Sequence, residues 1–273
     1  MTILDAFLLG IVQGLTEFIP VSSTAHLLIF EKLLGIPADA LLFAFSVIIQ
    51  LGTVVAMVAF FWRDILAIAN AFVLGLVQRK PFEDFNARLG WLIILATIPA
   101  GLAGLILEDN VQANFGRPFL QAGIRLLMTA LLLTIFEYFN RRTRTLESIT
   151  WLDALVIGLF QVMAVFPGAS RSGTTITGGM LRGFDRPSAA RFAFLMSAPI
   201  LTAAAVYQTV AVLNMPNDNV EFFPILFIGL IVSGLVGWMA IKWLLNYLNK
   251  HSLYVFAVYC AVMGAVLLFI ELT

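Results

Sequence analysis

From Leu41 to Trp62 the sequence carries no charged side chain, and a helix of that length reaches across the hydrocarbon of a bilayer. Five more apolar runs follow, giving predicted spans at 41–61, 89–107, 118–139, 188–212, 222–245 and 252–271. A water-soluble core cannot absorb this much apolar sequence. The chain is 61% hydrophobic and 12% charged, with a mean hydropathy of +0.98, whereas soluble domains are about 45–50% apolar and about 25% charged. The fold class is therefore an all-α polytopic membrane protein, with residues 1–273 forming one integral membrane domain. The opening run is not expected to be a cleavable signal peptide, because it lacks a basic start and carries Asp5 and Glu17. Cys260 lies in an apolar run and reads as a packed thiol rather than a redox or ligand group.

Two further pieces, 3–35 and 150–184, are apolar but broken midway, at FIPVSST around Pro20 and FPGASRSG around Pro167. Proline lacks the backbone donor a helix interior needs and turns its predecessor out of helical geometry, so each piece should be helix, break, helix. Irregular backbone at membrane depth survives only where protein or a polar cavity surrounds it. Both pieces are thus expected to be re-entrant hairpins. The short apolar segment 65–78, between Arg63/Asp64 and Arg79/Lys80, is placed at the membrane interface.

The broken pieces resemble each other. Gly10, Gln13 and Ser22 match Gly158, Gln161 and Ser170 at a constant spacing of 148, and the FAF at Phe43–Phe45 recurs at Phe192–Phe194, 149 positions on. Repeat 1 would run about 1–140 and repeat 2 about 150–273. Each holds one hairpin and three spans, and an odd number of spans inserts the second copy upside down. With that topology one face of the membrane receives Arg63, Arg79, Lys80, Arg88, Arg141, Arg142, Arg144, Arg182, Arg186, Arg191, Lys242 and Lys250. The other receives Lys32 and Arg117 with Asp39, Glu108, Asp109, Asp218, Glu221 and Glu271. The basic face is expected to be cytoplasmic, which puts both termini and the mouth of the first hairpin outside. The two hairpin tips can then meet near mid-membrane.

Ionisable groups at that depth are expensive, so the polar residues of the tips are the candidate site. Gln13 and Glu17 share a helix face, and Ser22 and Ser23 open the next half-helix with His26 one turn on. The second tip offers Ser170, Ser172, Thr174 and Thr175, the guanidinium of Arg171, and Gly168 and Gly173 for tight backbone. Two helix N-termini attract anions, and the fork of Arg171 matches phosphate oxygens. Together they describe a phosphate cradle. Glu17 would repel a phosphate and reads better as a divalent-metal ligand, with Gln13 beside it, or as the group that orients His26 or a nucleophile. Membrane-helix hydroxyls often bond back to their own carbonyls, which is the reading preferred for Thr174, Thr175 and Thr177. Arg125 is expected to snorkel to the interface, and Lys250 and His251 to be solvated at a span end.

GLTEFIPVSSTAHL (14–27) and PGASRSG (167–173) resemble the two signature motifs of the undecaprenyl-diphosphate phosphatases, the bacitracin-resistance family of bacterial inner-membrane enzymes. The resemblance covers nearly the whole chain. It implies hydrolysis of the C55 isoprenyl diphosphate to the monophosphate and inorganic phosphate, a divalent cation, Mg2+ or Ca2+, and a site opening to the periplasm. By position, Glu17, Ser23, His26 and Arg171 match the family's essential residues, and Ser22, Thr24 and Ser170 its supporting hydroxyls. Two positions depart: many members carry Glu where this chain has Gln13, and Gly where it has Ala25. Gln13 adds no charge, which puts strong two-carboxylate metal binding in question. The expected partners are a long-chain isoprenyl diphosphate and the membrane, with a homodimer open and no nucleic acid. The expected chemistry is attack on the terminal phosphorus by Ser23, by water or by His26 itself, with His26, held by Glu17, as the favoured proton acceptor where it is not the nucleophile. The rival is a polyprenyl-phosphate transporter or flippase, since transporters also use inverted repeats with broken helices.

Overall fold

In the computed structural model, residues 1–113, 117–139, 143–166, 169–213 and 222–272 are described. Among them the regular elements are helical, apart from an isolated parallel bridge between Arg144 and Phe184. In chain order they are α1 (Ile3–Phe18), α2 (Ser23–Leu33), α3 (Ala40–Ile48), α4 (Gln50–Phe60), α5 (Trp62–Val77), α6 (Phe85–Ala113) and α7 (Pro118–Phe139), then α8 (Trp151–Val162), α9 (Arg171–Leu181), α10 (Arg186–Leu213), α11 (Phe222–Leu248) and α12 (Tyr254–Leu272). Six stretches among the described residues are long and apolar enough to cross a membrane: Ala40–Phe60, Phe85–Leu107, Pro118–Phe139, Arg186–Tyr207, Phe222–Leu248 and Tyr254–Leu272. These are the six predicted spans, and the chain is a multi-pass membrane protein. The first span is interrupted at Ile49 between α3 and α4, and Ser233 Oγ donates to the Ile49 carbonyl at 2.8 Å, so the interruption is hydrogen-bonded from α11. The segment expected at the interface is part of α5.

Both broken pieces form helix, break, helix: α1 and α2 around residues 19–22, and α8 and α9 around a 3-10 turn at Met163–Val165. Pro167 and Gly168 lie outside the described residues, as do Arg141, Arg142, Asp218, Glu221 and the side chains of Glu108 and Asp109. The two pieces also start alike. Thr2 and Asp5 form a reciprocal capping box on α1, and Thr150 and Asp153 form the same box on α8, again 148 positions on. Such a box satisfies free N–H groups at the start of each helix.

The packing crosses over between the two parts of the chain. α1 lies chiefly against α11, and α8 against α6. At both contacts the backbones meet at the matched glycines: a Cβ on Gly10 would sit 3.0 Å from the Gly229 carbonyl oxygen, and one on Gly158 would sit 2.5 Å from that of Ala96. Small residues at such crossings let helices approach where lipid supplies no hydrophobic drive. α7 and α12 pack against each other, and α4 against α10.

Three arginines expected among the face charges bind buried acids. Arg144 and Arg182 both reach the carboxylate of Asp153, at 2.6 Å each, and Arg186 binds Glu137, whose Oε2 also accepts from the Leu253 N–H. Burial alone would raise the Asp153 carboxyl, but the hydrogen bonds from Arg144, Arg182 and Thr150 outweigh it and hold the group well below the usual carboxylate range. These pairs pin the start of α8 and the ends of α7, α9 and α10 together.

Candidate functional site

The residues between α1 and α2 leave helical geometry, so their carbonyls need other donors. Ile19 O accepts from Val21 N at 2.7 Å and from Ser172 Oγ at 3.2 Å. Pro20 O faces Cys260 Sγ at 3.5 Å, and Ser22 O takes the His26 ring Nδ1 at 2.8 Å. The break is therefore held by the second tip, by α12 and by its own histidine. Cys260 is buried, as a packed thiol should be, and adds this weak S–H contact. Ser22 takes φ +69°, a backbone conformation rarely held by a residue with a Cβ and typical of functional sites.

Ser22 caps α2 and Ser170 caps α9, each through its hydroxyl, which accepts from Ala25 N at 3.3 Å and from Gly173 N at 3.1 Å. The two caps hold corresponding places in the two breaks. Ser170 and Ser172 share a hydrogen bond at 3.3 Å, as do Ser22 and Thr24 at 3.2 Å. Gly173 lies against the Ser170 side chain and Thr129, where a Cβ would crowd both. Thr174, Thr175 and Thr177 bond back to carbonyls of their own helix, which is the structural role preferred for them.

Glu17 joins the two tips. Its Oε1 accepts from Arg171 Nη2, and its Oε2 accepts from Ser23 Oγ at 2.8 Å and from Gln13 Nε2 at 2.6 Å. The Arg171 side chain is 15% exposed and that of Glu17 is 4% exposed, so the pair meets in a largely dry environment. Two atoms there have no protein partner: Arg171 Nη1, a donor, and Gln13 Oε1, an acceptor. A buried unmet hydrogen-bonding group costs about 1–3 kcal/mol. The first invites an anion's oxygen and the second a cation or a donor.

His26 departs from expectation. Its ring does not bond Glu17: Nδ1 is on the Ser22 carbonyl, and Nε2 lies 2.6 Å from the hydroxyl of Tyr259 on α12, with the two rings stacked 5.6 Å apart. Glu17 is drawn instead to Arg171, whose full charge outcompetes a ring for it. Tyr259 was not among the expected site residues. The sequence held one signal for it, a phenolic hydroxyl well inside an apolar span, where such a group needs a partner. Arg125 donates to Gln121, one turn nearer the start of α7, and lies over the Phe166 ring, 5.4 Å from its centre, beside the second break.

Among the described residues no cluster of three His, Cys, Asp or Glu is poised for a metal. The donor set still suits a hard cation that takes most of its ligands from phosphate and water, because Glu17 and the unmet Gln13 Oε1 are both oxygen donors on one helix face.

Comparison with known proteins bears on this arrangement. The family described as "Bacitracin resistance protein BacA" matches residues 6–266. A protein of Chloroherpeton thalassium named undecaprenyl-diphosphatase is 42% identical over 275 residues, covering 98% of this chain and 96% of that one. Proteins of the same name from Pelodictyon phaeoclathratiforme and Anaeromyxobacter dehalogenans are 41% identical over 280 residues and 45% identical over 266, covering 100% and 97% of this chain and 98% and 90% of theirs.

Proposed function

Because the chain belongs to the bacitracin resistance protein BacA family, we propose that this site hydrolyses undecaprenyl diphosphate to undecaprenyl phosphate and inorganic phosphate, returning the lipid carrier to cell-wall synthesis. The observation that carries the reading is the double engagement of Glu17, with a phosphate-matching guanidinium on one oxygen and a nucleophile's hydroxyl on the other. Anion transport would need the guanidinium and the helix ends but no hydroxyl held on a carboxylate. The names of the relatives likewise favour hydrolysis over transport.

The diphosphate enters head-first with its isoprenoid tail in lipid. Its oxygens draw the Arg171 fork off Glu17 and also meet the N-terminal N–H groups of α2 and α9, beside Ser22, Thr24, Ser170 and Ser172. Glu17 is then free to take the Ser23 proton, and Ser23 Oγ attacks the terminal phosphorus. The bond to the bridging oxygen breaks, undecaprenyl phosphate leaves, and water hydrolyses the phosphoserine. Glu17 and Gln13 would hold a Mg2+ or Ca2+, which supplies charge neutralisation on the phosphate oxygens. His26, beside Ser22 at the start of α2, is the site's second proton carrier, able to serve the leaving oxygen or the water.

In the same proposal the broken pieces are re-entrant hairpins of an inverted repeat, about 1–140 and 150–273, in the bacterial inner membrane. The site opens to the periplasm and both termini lie outside. This is supported by the matched capping boxes, the matched glycines at the crossed helix contacts and the one-sided distribution of basic residues. The test is phosphate release from a long-chain isoprenyl diphosphate by the purified protein in detergent, with and without EDTA. Release that EDTA abolishes supports the reading; none under either condition overturns it.

A further inference from the structure

We infer that Tyr259 is a positioning residue for the reaction: its hydroxyl fixes the imidazole of His26 and so aims the ring's basic nitrogen. The Ser22 carbonyl can only accept, so His26 Nδ1 carries a proton. In the neutral ring Nε2 is then an acceptor, and the Tyr259 O–H, 2.6 Å away, donates to it. This is the tautomer less populated by free histidine in water, and here two partners from different parts of the fold hold it. The two ring planes lie 10° from parallel with their centres 5.6 Å apart, so the phenol also packs beside the imidazole.

The hold is built in from α12. Tyr259 fixes the ring while its neighbour Cys260 meets the Pro20 carbonyl, so two successive residues of α12 brace the first break. Only Nε2 has a lone pair for a proton, and Tyr259 occupies it. The phenol therefore holds the basic nitrogen of His26 in one direction until an attacking water, which can donate to it, takes the hydroxyl's place. Tyr259 acts through His26 and is given no contact with substrate.

The inference rests on the phosphatase reading only in its kinetic arm. The variant Tyr259→Phe keeps the stack and removes the hydroxyl. The chain has two histidines, His26 and the exposed His251, so 15N-histidine NMR of the purified protein in detergent resolves the ring directly. The expected result is an Nδ1-protonated His26 whose Nε2 signal moves toward that of a free acceptor in Y259F. With it, kcat should fall about tenfold with KM within about twofold, as loss of one hydrogen bond to a reacting group implies. In a His26→Asn background, Y259F should add no further loss. An unchanged Nε2 signal, or the same fold loss with and without His26, would overturn the inference. If the wild-type protein releases no phosphate, the phosphatase reading fails while the NMR signal still decides the contact.

Discussion

Arg171 Nη2 donates to Glu17 Oε1 across 154 positions of sequence, joining two breaks that belong to different parts of the chain. Each is the other's neutralising partner in a nearly dry setting, and in the proposed mechanism a diphosphate displaces that pairing to bind. Arg171→Lys keeps the charge but loses the fork, and should lower kcat/KM by about 10- to 100-fold. Arg171→Ala should lower it by about 100- to 1000-fold, in the range seen for lost transition-state donors. Steady-state phosphate release checks both.

Gln13 stands where the resemblance to the family leads one to expect a second carboxylate. Gln13→Glu replaces an amide donor 2.6 Å from Glu17 with a like charge, so the variant should be less stable than wild type in EDTA. Added Mg2+ or Ca2+ should raise its melting temperature more than it raises wild type's, and roughly tenfold less cation should give half-maximal activity. Thermal unfolding and cation titrations measure the two effects.

Gly158 touches the Ala96 carbonyl where α8 crosses α6. A methyl group there meets backbone, which cannot step aside, so Gly158→Ala should separate the helices and destabilise the protein by about 1–3 kcal/mol. Gly10→Ala has slightly more room and should cost less. The two melting temperatures in one detergent give the order.

Asp153 links protonation to folding. Its folded-state acidity is strengthened by Arg144 and Arg182, so its stabilisation is fully present above the unfolded carboxyl's range, about pH 4, and drains away as pH falls below it. Asp153→Asn should remove that part of the acid sensitivity and leave two arginines facing a neutral amide, a loss of about 3 kcal/mol at neutral pH. Melting temperatures of both proteins between pH 3 and 7 test this.

The parts of the site that could be read in advance were those that contradict their surroundings. Glu17, His26 and Arg171 stand out because apolar helices exclude such groups, and Pro20 marks a helix break because proline lacks a donor. What escaped was the choice of partner. His26 sits close in sequence to both Glu17 and Ser22, and only the three-dimensional approach of α12 shows that Tyr259, 233 positions away, takes its second nitrogen. The interruption at Ile49 was equally hidden, because its compensating hydroxyl is Ser233 on α11. Asp153 and Glu137 drew no notice as single acids near helix ends. Their arginines come from separate segments, which no local pattern encodes.

The central claim is that Ser23 attacks phosphorus with Glu17 as its proton acceptor and Arg171 on the phosphates. The most direct test incubates the purified protein with undecaprenyl diphosphate labelled in its terminal phosphate, quenches in acid and looks for label on the polypeptide. The account predicts transient labelling at Ser23 in wild type, and neither label nor turnover in Ser23→Ala. Turnover by Ser23→Ala near the wild-type rate would contradict it.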